Sequence, residues 1–259
     1  MKICVLLKQV PDAGSVLKIG PDATWIVEDN LVFITNESDA YALEEALLIK
    51  EAQGGEVVVC TLGPERSRQV LKDALSKGAD RAVFLHDEAF TGLDSNGLAK
   101  VFTAALRDEQ FDLVFCGLQA DDTGEAALGP MLAGGLQLPH VTMVVHTELK
   151  DGGITLKQEL EAGWFREVQT DLPALLTIQS GINKPRYASL RGIMAMKKKE
   201  IREYTAADLG ISFADLEPLQ SLRRISLPVK TKETTFLEGS ADKIVAQLVN
   251  KLANEAKVI

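Results

Sequence analysis

At 259 residues the chain has room for one large or two modest domains. With 46% hydrophobic and 25% charged residues, its make-up is that of a globular protein able to bury a core. Its formal net charge of −9 lacks the basic footprint that general nucleic-acid binding requires. Cys4, Cys60 and Cys116 each lie inside an apolar run and none belongs to a C-x-x-C pair, so they read as buried thiols in a reducing compartment, here expected to be cytoplasmic. His86, His140 and His146 have no metal-site spacing, and the apolar run near Met1 is too short for a signal peptide or a membrane span.

Taken in order, Ile3–Leu7 is a continuous apolar run, as expected of a strand covered on both faces, and Lys8–Pro11 ends it. Gly14–Asn30 is polar and turn-rich, with a hairpin expected through Trp25–Val27 and Leu31–Ile34. A first helix starts near Asn36 or Ser38, either of which can cap it. Tyr41, Ala42, Leu47 and Leu48 give it an apolar stripe, Glu44 and Glu45 an acidic face, and Gly54-Gly55 stops it. Glu56–Leu62 is a second continuous strand. Gly63-Pro64 opens a helix that buries Val70, Leu71, Ala74 and Leu75 and ends at Gly78. Arg81–Leu85 is a short strand, Asn96–Arg107 a helix with Leu98, Val101, Phe102 and Leu106 inward, and Leu113–Cys116 a fourth strand. Glu125–Leu136 reads as a helix kinked at Gly129-Pro130. Four strand–helix alternations predict an α/β fold: an open, mostly parallel sheet with helices on both faces and right-handed crossovers.

The pattern then changes. Val141–His146, Ile154–Leu160 and Phe165–Val168 are strands without helices between them, joined by turns at Asp151-Gly152-Gly153 and Ala162-Gly163. They are expected to add antiparallel strands to an edge, before Leu172–Ile178 returns to the core. After Lys199 the sequence is polar and irregular, and residues 200–208 and 215–224 lack a continuous core pattern. Ile244, Val245, Leu248, Val249 and Leu252 recur at helical spacing near the end. The chain thus divides into an α/β domain over 1–189 and an arm over 190–259, whose apolar residues need a surface, either a partner subunit or the chain's own domain.

Two stretches are candidates for function. Open parallel sheets bind ligands beyond the carboxyl ends of their strands, which here are Leu6–Asp12, Leu62–Pro64, His86 and Gly117–Gly124. Gly117–Gly124 (GLQADDTG) suits a nucleotide: Gly117 lets the chain leave its strand, Asp122 can accept from a ribose or an adenine amine, and Thr123 and Gly124 offer a hydroxyl and N–H groups before a helix start. The same residues also suit a capped turn. The second stretch is Gly181–Lys199 (GINKPRYASLRGIMAMKKK), stiffened by Pro185. Leu190 stands in it among polar and small neighbours with no helical or strand period, beside Arg186, Tyr187 and Arg191. It is either an anchor for a partner's pocket or a loop residue packed back on its own domain. The lysines at 197–199 would be an exposed cluster able to steer an acidic partner. No G-x-G-x-x-G, Walker P-loop, G-x-S-x-G, H-E-x-x-H or S-G-G-x-D-S occurs, which favours a carrier over a bond-making enzyme.

The run Asn183–Lys199, N-K-P-R-Y-A-S-L-x-x-I-M-x-x-K-K-K, resembles the recognition-loop region of electron transfer flavoprotein β subunits. Lys8-Gln9-Val10-Pro11-Asp12, Ala42-Leu43-Glu44-Glu45-Ala46, Gly78-Ala79-Asp80-Arg81-Ala82 and Gly117-Leu118-Gln119-Ala120 agree in the same order. The resemblance implies a heterodimer with an α subunit that holds most of a redox FAD, this chain supplying one wall and its arm wrapping the partner. It implies electron uptake from a flavin dehydrogenase, of acyl-CoA type, and delivery to a membrane-linked quinone oxidoreductase or another acceptor. Carried over by position, an AMP, or a second FAD in electron-bifurcating members, would meet Leu6, Asn36, Asp39, Leu62, Gly117, Gln119, Ala120, Asp121, Asp122, Thr123, Gly124 and Leu128. Arg186, Tyr187, Leu190 and Arg191 would dock the dehydrogenase. Asn36-Glu37-Ser38 stands where the family commonly has Asn-Pro-Phe, the acidic loop departs from the usual D-x-D, and Ala13 follows Asp12 where some members place an aromatic near the flavin. Outside the family, a stand-alone adenine-nucleotide-binding regulatory protein is the other reading.

Overall fold

The computed structural model describes residues 1–150, 152–229, 231–232 and 234–259. In chain order the strands and helices are β1 (Lys2–Leu6), β2 (Gln9–Pro11), β3 (Phe33–Thr35), α1 (Glu37–Gln53), β4 (Glu56–Leu62), α2 (Arg68–Lys77), β5 (Arg81–Leu85), α3 (Ser95–Leu106), β6 (Leu113–Gly117), α4 (Leu128–Leu136), β7 (His140–Lys150), β8 (Gly153–Glu159), β9 (Phe165–Asp171), β10 (Ala174–Ile178), α5 (Leu190–Met196), β11 (Ile201–Tyr204) and α6 (Ala241–Asn250). Nine strands form one sheet in the order β11-β5-β4-β1-β6-β10-β7-β8-β9. All its pairings are parallel except β7–β8 and β8–β9. The open, mostly parallel α/β sheet and its antiparallel edge are therefore as the sequence predicts.

The continuous apolar strands are continuous because both faces are covered. Leu43 and Leu47 of α1 and Leu71 and Leu75 of α2 pack with Ile3, Val5, Val57 and Val59 on one face. Phe102 of α3 and Leu132 of α4 pack with Cys4, Val58, Cys60 and Val114 on the other. From β1 the chain winds outward through β4 and β5, then crosses back to lay β6 on the opposite side of β1. The winding reverses between β1 and β6, the kind of switch point at which open sheets have their ligand crevice beyond the carboxyl ends.

Several local expectations are corrected. Trp25–Val27 does not pair with Leu31–Ile34. Asp22 closes a small turn through Thr24, Ile26 bridges back to Ile19, and β3 pairs with β2 instead. The kinked helix from Glu125 begins only at Leu128, so Pro130 falls in its first turn, where no intrahelical N–H is needed and no kink arises. β7 runs parallel to β10, and the direction reverses only at β8. Of the turn expected at Asp151-Gly152-Gly153, Asp151 lies outside the described residues.

Leu190 is not on an aperiodic loop but opens α5, because Ser189 caps the helix by accepting the Gly192 N–H at 3.0 Å. Residues 201–204, expected to be irregular, form β11 beside β5 and carry the sheet past residue 189. Two partly buried residues, Ile201 and Tyr204, were too few to reveal that strand. Beyond Leu216 most of the described residues are exposed; the chain touches the domain where the Leu219 and Gln220 N–H groups meet Asp94 Oδ2 at 2.7 and 3.0 Å and where the Ile225 N–H meets the Ala23 carbonyl at 2.8 Å.

Candidate functional site

The crevice is built from three segments: the end of β1, the start of α1 and the loop after β6. Gly117 closes β6 so tightly against α1 that a Cβ would lie 2.2 Å from Ser38 Oγ and 2.4 Å from Asp39 Oδ1. Asp39 Oδ1 accepts the Gly117 N–H at 2.8 Å and its Oδ2 accepts the Lys8 N–H at 2.7 Å, which ties both strand ends to the helix. Asn36 stands at the N-cap position of α1, but neither it nor Ser38 caps the helix. Its Nδ2 donates to the Gln119 carbonyl at 2.9 Å, where Ser38 Oγ also donates, and its Oδ1 accepts the Asp121 N–H at 2.9 Å. The helix start is thus fused to the 119–121 loop.

Burial drives the Asp39 carboxyl up to about 7, against the Lys8 and Gly117 backbone N–H groups, the Asn36 side chain and the Lys8 charge, which all favour its charged form. Asp122 accepts from Lys8 Nζ at 2.6 Å, a contact between β1 and the loop that the sequence did not suggest. The place of Lys8 directly after the first strand was the available signal. The thiols of Cys4, Cys60 and Cys116 are free and buried, as expected, and burial pushes all three up and leaves them inert.

The residues carried over for a nucleotide divide accordingly. Leu6 and Gly117 are buried, and the side chains of Asn36, Asp39 and Asp122 are engaged inside the protein. Gln119, Asp121, Thr123 and Gly124 are exposed at the crevice mouth, while Leu62, Ala120 and Leu128 are partly exposed. Gly124 (φ 65°) closes a turn onto the Ala120 carbonyl at 2.8 Å. What these residues leave free toward a ligand is the backbone of the loop from Gln119 to Gly124 and the partly exposed side chains of Leu62 and Leu128.

The docking candidates lie elsewhere. Tyr187 is 95% exposed and Leu190 84%, which excludes the packed-back alternative, and Arg191 is exposed beside them. Arg186 does not stand with them. Its guanidinium grips Glu44, with Nε to Oε2 and Nη2 to Oε1 both at 2.9 Å, and also meets Glu51. Glu44 and Glu45, expected on a solvated acidic face of α1, are buried because the 181–189 segment lies over them. Lys199 is not part of an exposed lysine cluster either; it donates to the Leu75 and Ala79 carbonyls at the end of α2.

Among the described residues no group of His, Cys, Asp and Glu is arranged to hold a metal ion, and no helix is long and apolar enough to cross a membrane. Fold and site define a doubly wound α/β protein of the class that places ligands at a strand switch point. The family model of the electron transfer flavoprotein domain matches residues 24–209. An electron transfer flavoprotein subunit β of Methylophilus methylotrophus is 39% identical over 99% of this chain and 99% of its own length. That of Bacillus subtilis (strain 168) is 34% identical over the whole of both. The caffeyl-CoA reductase-Etf complex subunit CarD of Acetobacterium woodii is 34% identical over 97% of this chain and 98% of its own length. The chain belongs to the electron transfer flavoprotein family, among its β subunits, and its role at that level is electron transfer.

Proposed function

We propose that the chain pairs with an electron transfer flavoprotein α subunit in the cytoplasm. The pair takes electrons from a flavin dehydrogenase, of acyl-CoA type, and passes them to a quinone-linked or other acceptor. The observation that carries this reading is the pair Tyr187 and Leu190, two large side chains almost wholly exposed on an ordered segment. An apolar side chain held in water on a fixed backbone suits a partner's pocket, since hot spots are few and deeply desolvated once bound. The exposed apolar residues of the arm, among them Leu227, Val229, Phe236 and Val249, suit a wrapped subunit.

The FAD shared with the α subunit would supply the redox chemistry, and this chain's residues perform no acid–base step. The crevice between β1 and β6 would hold AMP, with the loop from Gln119 to Gly124 along its rim. Asn36 and Asp39 shape that rim from behind rather than touching the ligand.

Co-expression with an α subunit, size-exclusion chromatography and quantitation of bound flavin and nucleotide test this reading. One FAD and one AMP in a 1:1 complex is the expected result. Two FADs and no AMP would put a second flavin in the crevice and turn the reading to electron bifurcation. A colourless chain running alone would overturn the proposal in favour of a nucleotide-binding regulator.

A further inference from the structure

The docking segment has an inner and an outer side. On the inner side, Arg186 spans Glu44 and Glu51, and its backbone N–H also donates to Glu44 Oε2 at 3.0 Å. Asn183 Nδ2 donates to Glu45 Oε2 at 2.9 Å and to the Tyr41 carbonyl at 3.1 Å. The second oxygen of Glu45 takes the Thr147 hydroxyl. Glu44 and Glu45 are each less than a tenth exposed. A pair of adjacent carboxylates is costly to bury, and it persists only where donors satisfy it. Here all the donors but the Thr147 hydroxyl come from one short stretch, and the next residue along, Tyr187, points into solvent.

We infer that Arg186 and Asn183 are positioning residues: they fasten the docking segment to the buried acid pair of α1 and thereby present Tyr187 and Leu190 in one geometry, without touching the partner themselves. The inference rests on the docking reading of Leu190. Its physical content is preorganisation. A segment already ordered in its bound form forfeits less freedom on association, so the clamp acts on the encounter with the dehydrogenase and not on the flavin. A free arginine beside a tyrosine would itself be a typical contact residue, but this guanidinium is already bound on two sides by carboxylates.

The test uses the complex with the α subunit and an acyl-CoA dehydrogenase that reduces the wild-type complex. Amide hydrogen exchange over residues 184–192 is measured together with KM and kcat for the complex, in Arg186→Gln, Arg186→Lys and Leu190→Ala. For Arg186→Gln the expectation is exchange faster by about tenfold in that window and KM raised about five- to tenfold. Flavin content and kcat should be unchanged. Arg186→Lys, which keeps the charge but not the fork, should restore part of both. Leu190→Ala should raise KM with exchange unchanged. If Arg186→Gln does not fold, Glu51→Gln removes the exposed half of the clamp and should move both readouts the same way by less. A raised KM without faster exchange would make Arg186 a direct contact and overturn the inference. Wild-type exchange and KM in Arg186→Gln, with Leu190→Ala impaired, would overturn the clamp and leave the docking reading standing. A wild-type KM in Leu190→Ala would remove both.

Discussion

Asp39, in the first turn of α1, accepts the backbone N–H of Gly117 at 2.8 Å. With its other oxygen on the Lys8 N–H, one buried carboxyl joins the ends of the two strands between which the winding of the sheet reverses. On their outer sides the strand ends stay paired, Leu7 to the Cys60 carbonyl and Leu118 to that of Ile178. On the sides that face each other the Lys8 and Gly117 amides are paired not by a strand but by the Asp39 side chain, which supplies the acceptors. One buried carboxyl therefore fixes both strand ends to the start of α1.

That arrangement makes stability depend on pH in an unusual direction. The folded Asp39 carboxyl stands at about 7, against an ordinary value of 3.8, with burial as the main cause. Between those values the native protein keeps a proton that the unfolded chain has lost, so this group's contribution falls as pH rises and is constant above about 7. From pH 5 to pH 8 the fall is about 2–3 kcal/mol. Glu51 and Glu65, held below the usual carboxylate range by Arg186 and Arg68, titrate below this window and do not mask it. Asp39→Asn does not titrate. Urea unfolding of both proteins at pH 5 and pH 8 should show the wild type losing ground to the variant on going to pH 8. A gap independent of pH would show that the carboxyl is ionised throughout.

Gly117→Ala tests the close approach itself. The added Cβ would meet Ser38 Oγ at 2.2 Å, Asp39 Oδ1 at 2.4 Å and the Asp39 backbone nitrogen at 2.8 Å. The hydroxyl can rotate away, but the helix backbone cannot, so α1 must shift. Overpacking of this kind costs about 1–3 kcal/mol. The variant should show a lowered Tm by calorimetry, together with faster exchange of the Gly117 and Lys8 amides, whose acceptor has moved. A wild-type Tm would mean that the helix start is free to move.

The sheet was legible because its strands are apolar on both faces and are separated by helices with clear stops at Gly54-Gly55 and Gly78. Arg186 and Glu44 show what was not. Glu44 follows Tyr41 and Ala42 at a spacing that reads as a solvated acidic face. Only tertiary structure reveals a segment 142 residues distant lying over it. The same holds for β11, whose four residues gain their strand from the open edge of β5 rather than from any period of their own. Leu190 was recognisable as unusual, yet its helix was hidden, since α5 is 7 residues long and depends on the Ser189 cap and on α2 beneath it. At the crevice, the loop after β6 was visible from its glycines. The roles of Asn36 and Asp122 were read outward because a polar side chain at a strand end does not announce which way it turns.

Asn36 therefore offers a way to separate shaping the crevice from touching its ligand. Asn36→Ala removes the donor to the Gln119 carbonyl, which keeps the Ser38 hydroxyl, and the acceptor of the Asp121 N–H, which lies where the loop is exposed and water can replace it. The loss should be about 0.5–1.5 kcal/mol of stability. The loop from Gln119 to Gly124 would loosen, and nucleotide recovered with the purified complex should fall while flavin is retained. Asn36→Asp keeps the acceptor and loses the donor, and should fall between the two. Full retention of nucleotide by a destabilised Asn36→Ala would show that the rim is not part of the binding site.

The outer end of the docking segment makes the last prediction. Gly192, in the first turn of α5, lies so close to α2 that a Cβ would stand 2.0 Å from the Ser76 carbonyl oxygen. That atom is backbone at the end of a packed helix, so Gly192→Ala lifts α5 rather than displacing α2. Lys199 still holds the far end through the Leu75 and Ala79 carbonyls, and the helix should pivot about it. Leu190 is two residues before Gly192 and moves with it. The sheet and the crevice, on other contacts, do not. Gly192→Ala should therefore keep its flavin and nucleotide and lose about 1–3 kcal/mol of stability at most. It should transfer electrons from the dehydrogenase at a kcat/KM lowered about tenfold. A fluorescence probe at a cysteine introduced in place of Met194, which is exposed on the same helix, would report the pivot directly. An unchanged probe signal with unchanged kinetics would mean that α2 yields instead, and that the segment is held by its Arg186 end alone.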